Sequence, residues 1–270
     1  MANWRTLTDT VLAEWVKIPN LGIITDVDGT ISPIVNQPDA AQVTERNRQL
    51  LHDLLPHVTL VAAVSGRAAA DIQKRVGISE MVYVGNHGLE RWQNGKVISS
   101  PEVQQHRPSV EAASDALEAA SVPGMFVEDK GATLTLHYRN TVSPAETAED
   151  FRPIVRRIAD QHTLHLYEGR MVFELRPPLE LNKGTAFRTL IREFSLAAAM
   201  YLGDDVTDID AMDAARELRE TGECYALSLA VAAVDVPLPV VEAADLSAES
   251  VADVEDFLAW VLMSRRASSI

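Results

Sequence analysis

The chain has 270 residues, 47% of them hydrophobic and 23% charged, which excludes a disordered or fibrous protein and is long enough to bury a core without covalent help. Cys224 is the single cysteine, so an internal disulfide, a zinc finger and an iron–sulfur cluster are excluded, and a reducing compartment is favoured. The formal charge of −15 argues against nucleic acid and anionic membranes as partners.

The length corresponds to two domains, or to one core carrying a large insertion. The N-terminus, Met1-Ala-Asn-Trp-Arg, lacks a basic region followed by an apolar run, so no signal peptide is expected. Leu196–Leu202 is too short to cross a bilayer, and Tyr225–Val241 is broken by Asp235, Pro237 and Pro239. A cytoplasmic monomer is expected.

Helical spacing at Leu7–Val16 leads into a short apolar run, Leu21–Ile24, that ends in the polar loop Asp26-Val27-Asp28-Gly29-Thr30. The pattern then predicts a helix over Gln42–Leu55, a buried strand over Val58–Val64, a helix over Ala68–Arg75 and a strand over Met81–Val84. Gln93-Asn94-Gly95-Lys96 predicts a tight hairpin turn. The texture changes near His106: a helix over Ser109–Ala120 and strands over Met125–Lys130 and Thr133–Arg139 come first. A helix over Pro144–Gln161 follows, then a hairpin of Thr163–Tyr167 and Met171–Arg176 turning at Glu168-Gly169. Pro177-Pro178 closes this segment. Alternation resumes with helices over Thr185–Phe194 and Asp208–Leu218 and strands over Ala198–Leu202 and Cys224–Leu229. Alternating strands and helices predict an α/β core with a parallel sheet, residues 1–106 and 179–270, interrupted by an inserted αββαββ domain over 107–178. No internal repeat or low-complexity tract is present.

In such sheets ligands bind at the carboxyl ends of the strands, where Asp26, Ser65 and Gly85 all fall. No Walker loop and no dinucleotide fingerprint occurs, and the seven histidines lack zinc-ligand spacing. Asp26 and Asp28, two residues apart at a strand end, suit a nucleophile and a proton donor, or else an Asp-rich turn. Gly203-Asp204-Asp205-Val206-Thr207-Asp208 offers hard oxygen ligands for Mg²⁺, or caps the helix beginning near Asp208. Gathered aspartates repel one another and any phosphate, so the site needs a divalent cation and a fixed positive side chain. Lys183 is the candidate for the latter, against an ordinary helix-start lysine. Ser65 is placed to donate to a phosphoryl oxygen, to cap a helix, or both.

Asp26-Val27-Asp28-Gly29-Thr30, Ser65, Lys183 and Gly203-Asp204-Asp205 with Asp208 resemble, in order, the four motifs of the haloacid dehalogenase superfamily. That resemblance implies phosphoryl transfer through an aspartyl-phosphate. By the same resemblance Asp26 would attack phosphorus, Asp28 would serve as acid and then base, and Ser65 and Lys183 would hold phosphoryl oxygens. It further implies that Mg²⁺ is bound by Asp26, the Asp28 carbonyl and Asp204, and that Asp205 or Asp208 orients metal waters or Lys183.

In the insert, alternation puts Leu134, Leu136 and Tyr138 on one face and Thr135, His137 and Arg139 on the other. Phe126, Glu128 and Lys130 share a face, and Met171, Phe173 and Leu175 oppose Val172, Glu174 and Arg176. The sheet therefore has an oily face for its helices and a charged face that either meets solvent or closes over a polar substrate. Glu128-Asp129-Lys130, His137-Tyr138-Arg139, Gly85-Asn86-His87-Gly88-Leu89-Glu90, Glu174-Leu175-Arg176-Pro177 and Asn182-Lys183-Gly184 resemble the trehalose-6-phosphate phosphatase family. The resemblance implies that Glu128, Lys130, Arg139 and Glu174 contact sugar hydroxyls, joined from the core by Asn86, His87 and Arg67; pairing with a nearby acid is the other reading of Arg67. It implies a small sugar-phosphate substrate. Sister phosphatases acting on sucrose 6-phosphate or mannosyl-3-phosphoglycerate, and a non-catalytic phosphosugar-binding protein on the same fold, are the alternatives.

Overall fold

The computed structural model describes residues 2–35, 41–93, 95–169, 171–233 and 236–268. The chain forms two compact units, one joining Met1–Val97 to Leu181–Ile270 and the other spanning Ile98–Glu180.

The first unit opens with β1 (Ala2–Asn3), a 3-10 turn over Trp4–Leu7, α1 (Val11–Trp15) and β2 (Leu21–Thr25). It continues through α2 (Glu45–Leu54), β3 (Leu60–Val64), α3 (Ala69–Val76), β4 (Val82–Gly85), β5 (Glu90–Gln93) and β6 (Lys96–Ser99), which runs into the second unit. The second unit holds α4 (Pro101–Gln105), α5 (Arg107–Ala120), β7 (Phe126–Asp129), β8 (Leu134–His137), α6 (Pro144–Gln161), β9 (His165–Gly169) and β10 (Val172–Arg176). The first unit resumes with α7 (Lys183–Glu193), β11 (Ala198–Gly203), α8 (Ile209–Glu220), β12 (Tyr225–Val231), α9 (Leu238–Ala243), β13 (Leu246–Ala248) and α10 (Val251–Ser268).

Among the described residues the first unit's sheet runs β1-β13-β12-β11-β2-β3-β4-β5-β6. It is parallel from β1 to β4, and β5 pairs antiparallel with β4. Its central strands are apolar on both sides because helices cover both faces. Leu21, Ile23, Val61, Ala63, Met200 and Leu202 pack with residues of α1, α2, α3 and α10. Ile24, Ala62, Val64, Ala199 and Tyr201 pack with residues of α7, α8 and α9 on the other side. This sandwich fixes β2, β3 and β11 side by side with their carboxyl ends at one rim. None of the helices among the described residues is long and apolar enough to cross a membrane.

The second unit is a four-stranded antiparallel sheet, ordered β7-β8-β10-β9. Leu134, Leu136, Tyr138, Phe173 and Leu175 are buried with Val110, Leu117, Phe151, Val155 and Ile158 of α5 and α6. The αββαββ order and the oily face agree with the alternation in the sequence.

Three expectations shift. The helix over Leu7–Val16 is split, because the Thr8 and Thr10 hydroxyls donate to the Arg5 and Leu7 carbonyls and favour a turn there. In β9, Glu168 and Gly169 lie within the strand opposite Phe173 and Val172 rather than in the turn. Thr163, at φ 55°, closes α6 in the left-handed region and delays the strand. The predicted turn at Gln93–Lys96 includes Asn94, which lies outside the described residues.

Candidate active site

The first unit's site assembles at the rim defined by β2, β3 and β11. Asp26 follows β2, and its N–H donates to the Leu202 carbonyl of β11 at 2.8 Å, extending the parallel ladder by one step. That bond puts Asp26 beside Asp204, the first residue after β11. Gly29 has φ +83°, and a Cβ there would collide with the Asp204 carboxylate. Glycine therefore serves twice: it permits the left-handed turn and lets the loop close on the neighbouring acid. Thr30 Oγ1 donates to Asp204 Oδ1 at 3.0 Å.

Lys183 is the first residue of α7. The Asn182 side chain accepts from the Thr185 N–H at 2.8 Å, and Thr185 Oγ1 accepts from the Asn182 N–H at 2.9 Å, so the helix start is fixed. Lys183 is thus both a helix-start lysine and a buried site cation. Its Nζ lies 3.0 Å from Asp26 Oδ1 and 2.7 Å from Asp208 Oδ1.

The Asp208 carboxylate is fully committed. Oδ1 accepts from Lys183 and from the Tyr201 hydroxyl at 2.6 Å. Oδ2 accepts from the N–H groups of Asp204 at 3.1 Å and Asp205 at 2.9 Å. Asp205 Oδ1 accepts from the Val206 N–H at 2.7 Å and caps the 3-10 turn Val206–Asp208.

Oxygens of Asp26, Asp204 and Asp208 lie within 4.8 Å of one another. Burial first, then the neighbouring carboxylates, push Asp26 well above the usual carboxylate range despite Lys183. Burial and Asp208 push Asp204 up to about 7. Lys183 is held charged by Asp208 and Asp26, which outweigh its desolvation. Burial and Asp208 raise the Tyr201 phenol, keeping it a neutral donor.

Ser65 follows β3 and is buried. It caps no helix, because α3 begins at Ala69 with Ala68 as its cap residue; its Oγ instead accepts from the Arg67 N–H at 3.2 Å. Arg67 forks onto Asp28, Nε to Oδ2 at 2.5 Å and Nη2 to Oδ1 at 2.9 Å, and Nη1 reaches Asp71 at 3.1 Å. Asn86 and His87 follow β4 with φ of 48° and 57°, an uncommon pair of left-handed residues. They are held by Asn86 N–H to the Arg67 carbonyl at 2.8 Å and His87 N–H to the Ser65 carbonyl at 3.0 Å. Thr30 and Tyr201 carried no role in the sequence reading; the visible signals were a hydroxyl in the Asp-rich motif and a phenol inside an apolar strand.

In the second unit, register places Glu128 opposite Thr135, Thr135 opposite Glu174, and Glu174 opposite Tyr167, in one row across the helix-free face. His137 Nε2 lies 2.8 Å from Glu128 Oε2, and Arg176 Nη2 donates to Glu174 Oε2 at 2.7 Å. The Arg176 guanidinium sits 4.4 Å from the Tyr167 ring centre. Lys130 and Arg139 follow β7 and β8 on the same parity. Asp129, of opposite parity, is gripped instead by Arg107 at 2.6 Å.

A parallel sheet covered on both faces, with two aspartates after β2, a lysine at α7 and an acidic loop after β11, defines a haloacid-dehalogenase-type core. Structural similarity agrees. The C-terminal domain of Candida albicans trehalose-6-phosphate phosphatase superposes with a TM-score of 0.77 at 21% identity, covering 94% of this chain and 96% of that one. The C-terminal domain of the Candida albicans trehalose synthase regulatory protein shares the fold at TM-score 0.64 and 14% identity, covering 93% and 96%.

The trehalose-phosphatase family model matches residues 24–236, and the chain belongs to that family. Trehalose-phosphate phosphatase of Mycobacterium marinum is 34% identical over 214 residues, 74% of this chain and 52% of that protein. The Mycobacterium leprae protein of the same name is 30% identical over 258 residues, 85% and 58%. The chain thus spans little more than half the length of these curated relatives.

Proposed function

We propose that the chain hydrolyses trehalose 6-phosphate to trehalose and phosphate through a covalent phosphoryl group on Asp26. The observation that carries this reading is the buried Asp26 carboxylate held 3.0 Å from Lys183 beside a second acid, within a family of trehalose phosphatases. A fold shared with a regulatory protein does not choose between catalysis and binding, but an intact nucleophile, lysine and acid set favours catalysis.

In the proposed reaction an Asp26 oxygen attacks phosphorus and Asp28 gives its proton to the leaving sugar oxygen. Asp28 then takes a proton from the water that cleaves the acyl phosphate. Arg67 holds both Asp28 oxygens, so proton transfer requires that carboxyl to release the guanidinium. Lys183 and Ser65 hold phosphoryl oxygens.

The donor set fits a hard divalent cation, since buried carboxylates with raised proton affinity gain most from one. Asp208 has no oxygen to spare, which leaves Asp26, Asp204 and the Asp28 carbonyl as the groups that would hold Mg²⁺. When bound, Mg²⁺ supplies charge neutralisation for the phosphoryl oxygens.

This assignment predicts a pH signature. Asp26 and Asp204 bind protons more tightly folded than unfolded, where carboxylates titrate near about 4. Their contribution to metal-free stability is therefore fully present at acid pH and declines as pH rises toward and through about 7, the value for Asp204. Mg²⁺ must displace those protons, so its stabilising increment should be larger at pH 8 than at pH 6. Thermal melts with EDTA or Mg²⁺ at both values test this; equal increments would remove Asp26 and Asp204 as ligands.

The polar sheet face of the second unit supplies the sugar contacts in this reading, through Glu128, Lys130, Arg139 and Glu174, with Asn86, His87 and Arg67 contributing from the first unit. The test is a purified-enzyme screen with trehalose 6-phosphate, sucrose 6-phosphate, mannosyl-3-phosphoglycerate and p-nitrophenyl phosphate, on wild type and Glu174→Ala. Wild type should favour trehalose 6-phosphate. Glu174→Ala should lose about tenfold or more in kcat/KM on that ester and little on p-nitrophenyl phosphate. Faster turnover of another disaccharide ester would reassign the substrate, and equal losses on both esters would deny the sheet its selective role.

A further inference from the structure

We propose that Tyr201 is a positioning residue for phosphoryl transfer: its hydroxyl holds the Asp208 carboxylate so that Lys183 stays aimed at Asp26. The proposal rests on the reading above that Lys183 serves the nucleophile and the phosphoryl group.

Three geometric facts converge on it. Tyr201 lies in the middle of β11, two residues before the strand's end, and is wholly buried in an otherwise apolar run. Its hydroxyl donates at 2.6 Å to the same Asp208 oxygen that accepts Lys183 Nζ at 2.7 Å. Lys183 in turn lies 3.0 Å from Asp26. The phenol, the carboxylate, the ammonium and the nucleophile therefore form one continuous chain.

A buried phenol needs an acceptor, and the need alone does not explain this choice. Tyr83, equally buried, gives its hydroxyl to the backbone carbonyl of Ile78, which serves a turn and leaves no side chain committed. Tyr201 instead spends its hydroxyl on a carboxylate that already has three other donors. The two backbone N–H groups fix Oδ2 in place, and Oδ1 is shared between Tyr201 and Lys183. Without the phenol, the unshared Oδ1 draws Lys183 more strongly toward Asp208, away from Asp26. The nucleophile loses alignment in the bond-forming step, whereas groups that bind the sugar are untouched.

The experiment uses Tyr201→Phe, which removes only the hydroxyl, and Phe187→Leu, which removes the ring packed edge-on against Tyr201 with centroids 5.5 Å apart. Steady-state kinetics on p-nitrophenyl phosphate and trehalose 6-phosphate are read beside thermal melts. Tyr201→Phe should fold with a midpoint close to wild type. Its kcat should fall about tenfold on both esters, the ratio corresponding to about 1.4 kcal/mol, with KM within about threefold. Phe187→Leu should lower the midpoint and leave kcat within about twofold. A Tyr201→Phe enzyme with kcat within twofold of wild type overturns the proposal, as does an equal kcat loss in Phe187→Leu. A Tyr201→Phe protein that does not fold assigns the hydroxyl to stability and overturns it too. Wild type inactive on both esters would fail the catalytic reading itself, and wild type active only on p-nitrophenyl phosphate would fail the sugar assignment while leaving this test intact.

Discussion

Asp26→Asn is expected to abolish phosphate release, lowering kcat by about 10⁴-fold or more, the scale seen when a covalent nucleophile is removed. The amide is nearly isosteric but does not form the acyl phosphate. The same substitution should raise the metal-free melting temperature at pH 8. Burial and the carboxylates of Asp208, Asp204 and Asp28 together outweigh the attraction of Lys183, so the Asp26 anion is a net cost to the folded state. Asparagine removes that charge, and Lys183 keeps its 2.7 Å contact with Asp208. Inactive and more stable is a combination that simple misfolding does not produce. Trapping with beryllium fluoride gives the complementary readout: wild type should bind it and Asp26→Asn should not. Activity within about a hundredfold of wild type would mean that phosphorus is attacked by some other group.

Lys183→Met should move stability in the opposite direction. It strips the cation from a cluster in which Asp26, Asp204 and Asp208 oxygens lie within 4.8 Å of one another. Removing one partner of a buried pair costs about 3–5 kcal/mol, and the loss should be largest at pH 8 and smaller at pH 6, where the acids take up protons instead. Turnover should drop about 10³-fold, since a preorganised charge at the phosphoryl oxygens is lost. Urea unfolding at the two pH values, alongside kcat, checks both. A Lys183→Met protein as stable as wild type at pH 8 would show that the acids are not coupled through this ammonium.

The parallel core was legible because buried parallel strands write themselves as apolar runs that stop at polar residues. Leu21–Thr25 and Ala198–Gly203 end directly at Asp26 and Asp204, and the sheet brings those ends together. The second unit's faces were legible from period-two alternation alone, as Leu134 and Leu136 against Thr135 and His137 show. Roles that depend on hydrogen-bond direction were not. The sequence left Asp205 and Asp208 interchangeable, whereas four converging donors commit Asp208 to Lys183 and Tyr201, and local donors at the start of the 3-10 turn make Asp205 a cap. Tyr201 hid inside an apolar run, because a strand pattern records burial and not what a hydroxyl touches. Helix α10 was missed for the converse reason. Its buried side carries Asp253, which accepts from the Trp4 indole at 3.1 Å, and Glu255, which accepts from the Thr44 hydroxyl. Acids satisfied by distant partners interrupt the apolar stripe that marks a helix.

The neighbouring of β2 and β11 has a further consequence for how the molecule comes into being. Ile24 faces Tyr201 across a ladder whose two strands leave the ribosome far apart in time, with the whole second unit synthesised between them. Until β11 emerges, one side of β2 is an open, sticky edge and the Asp26 N–H lacks the Leu202 carbonyl that anchors it. Assembly of the first unit therefore waits on a late long-range pairing, a slow class of folding event, and the nascent chain is a natural client for chaperones during that interval.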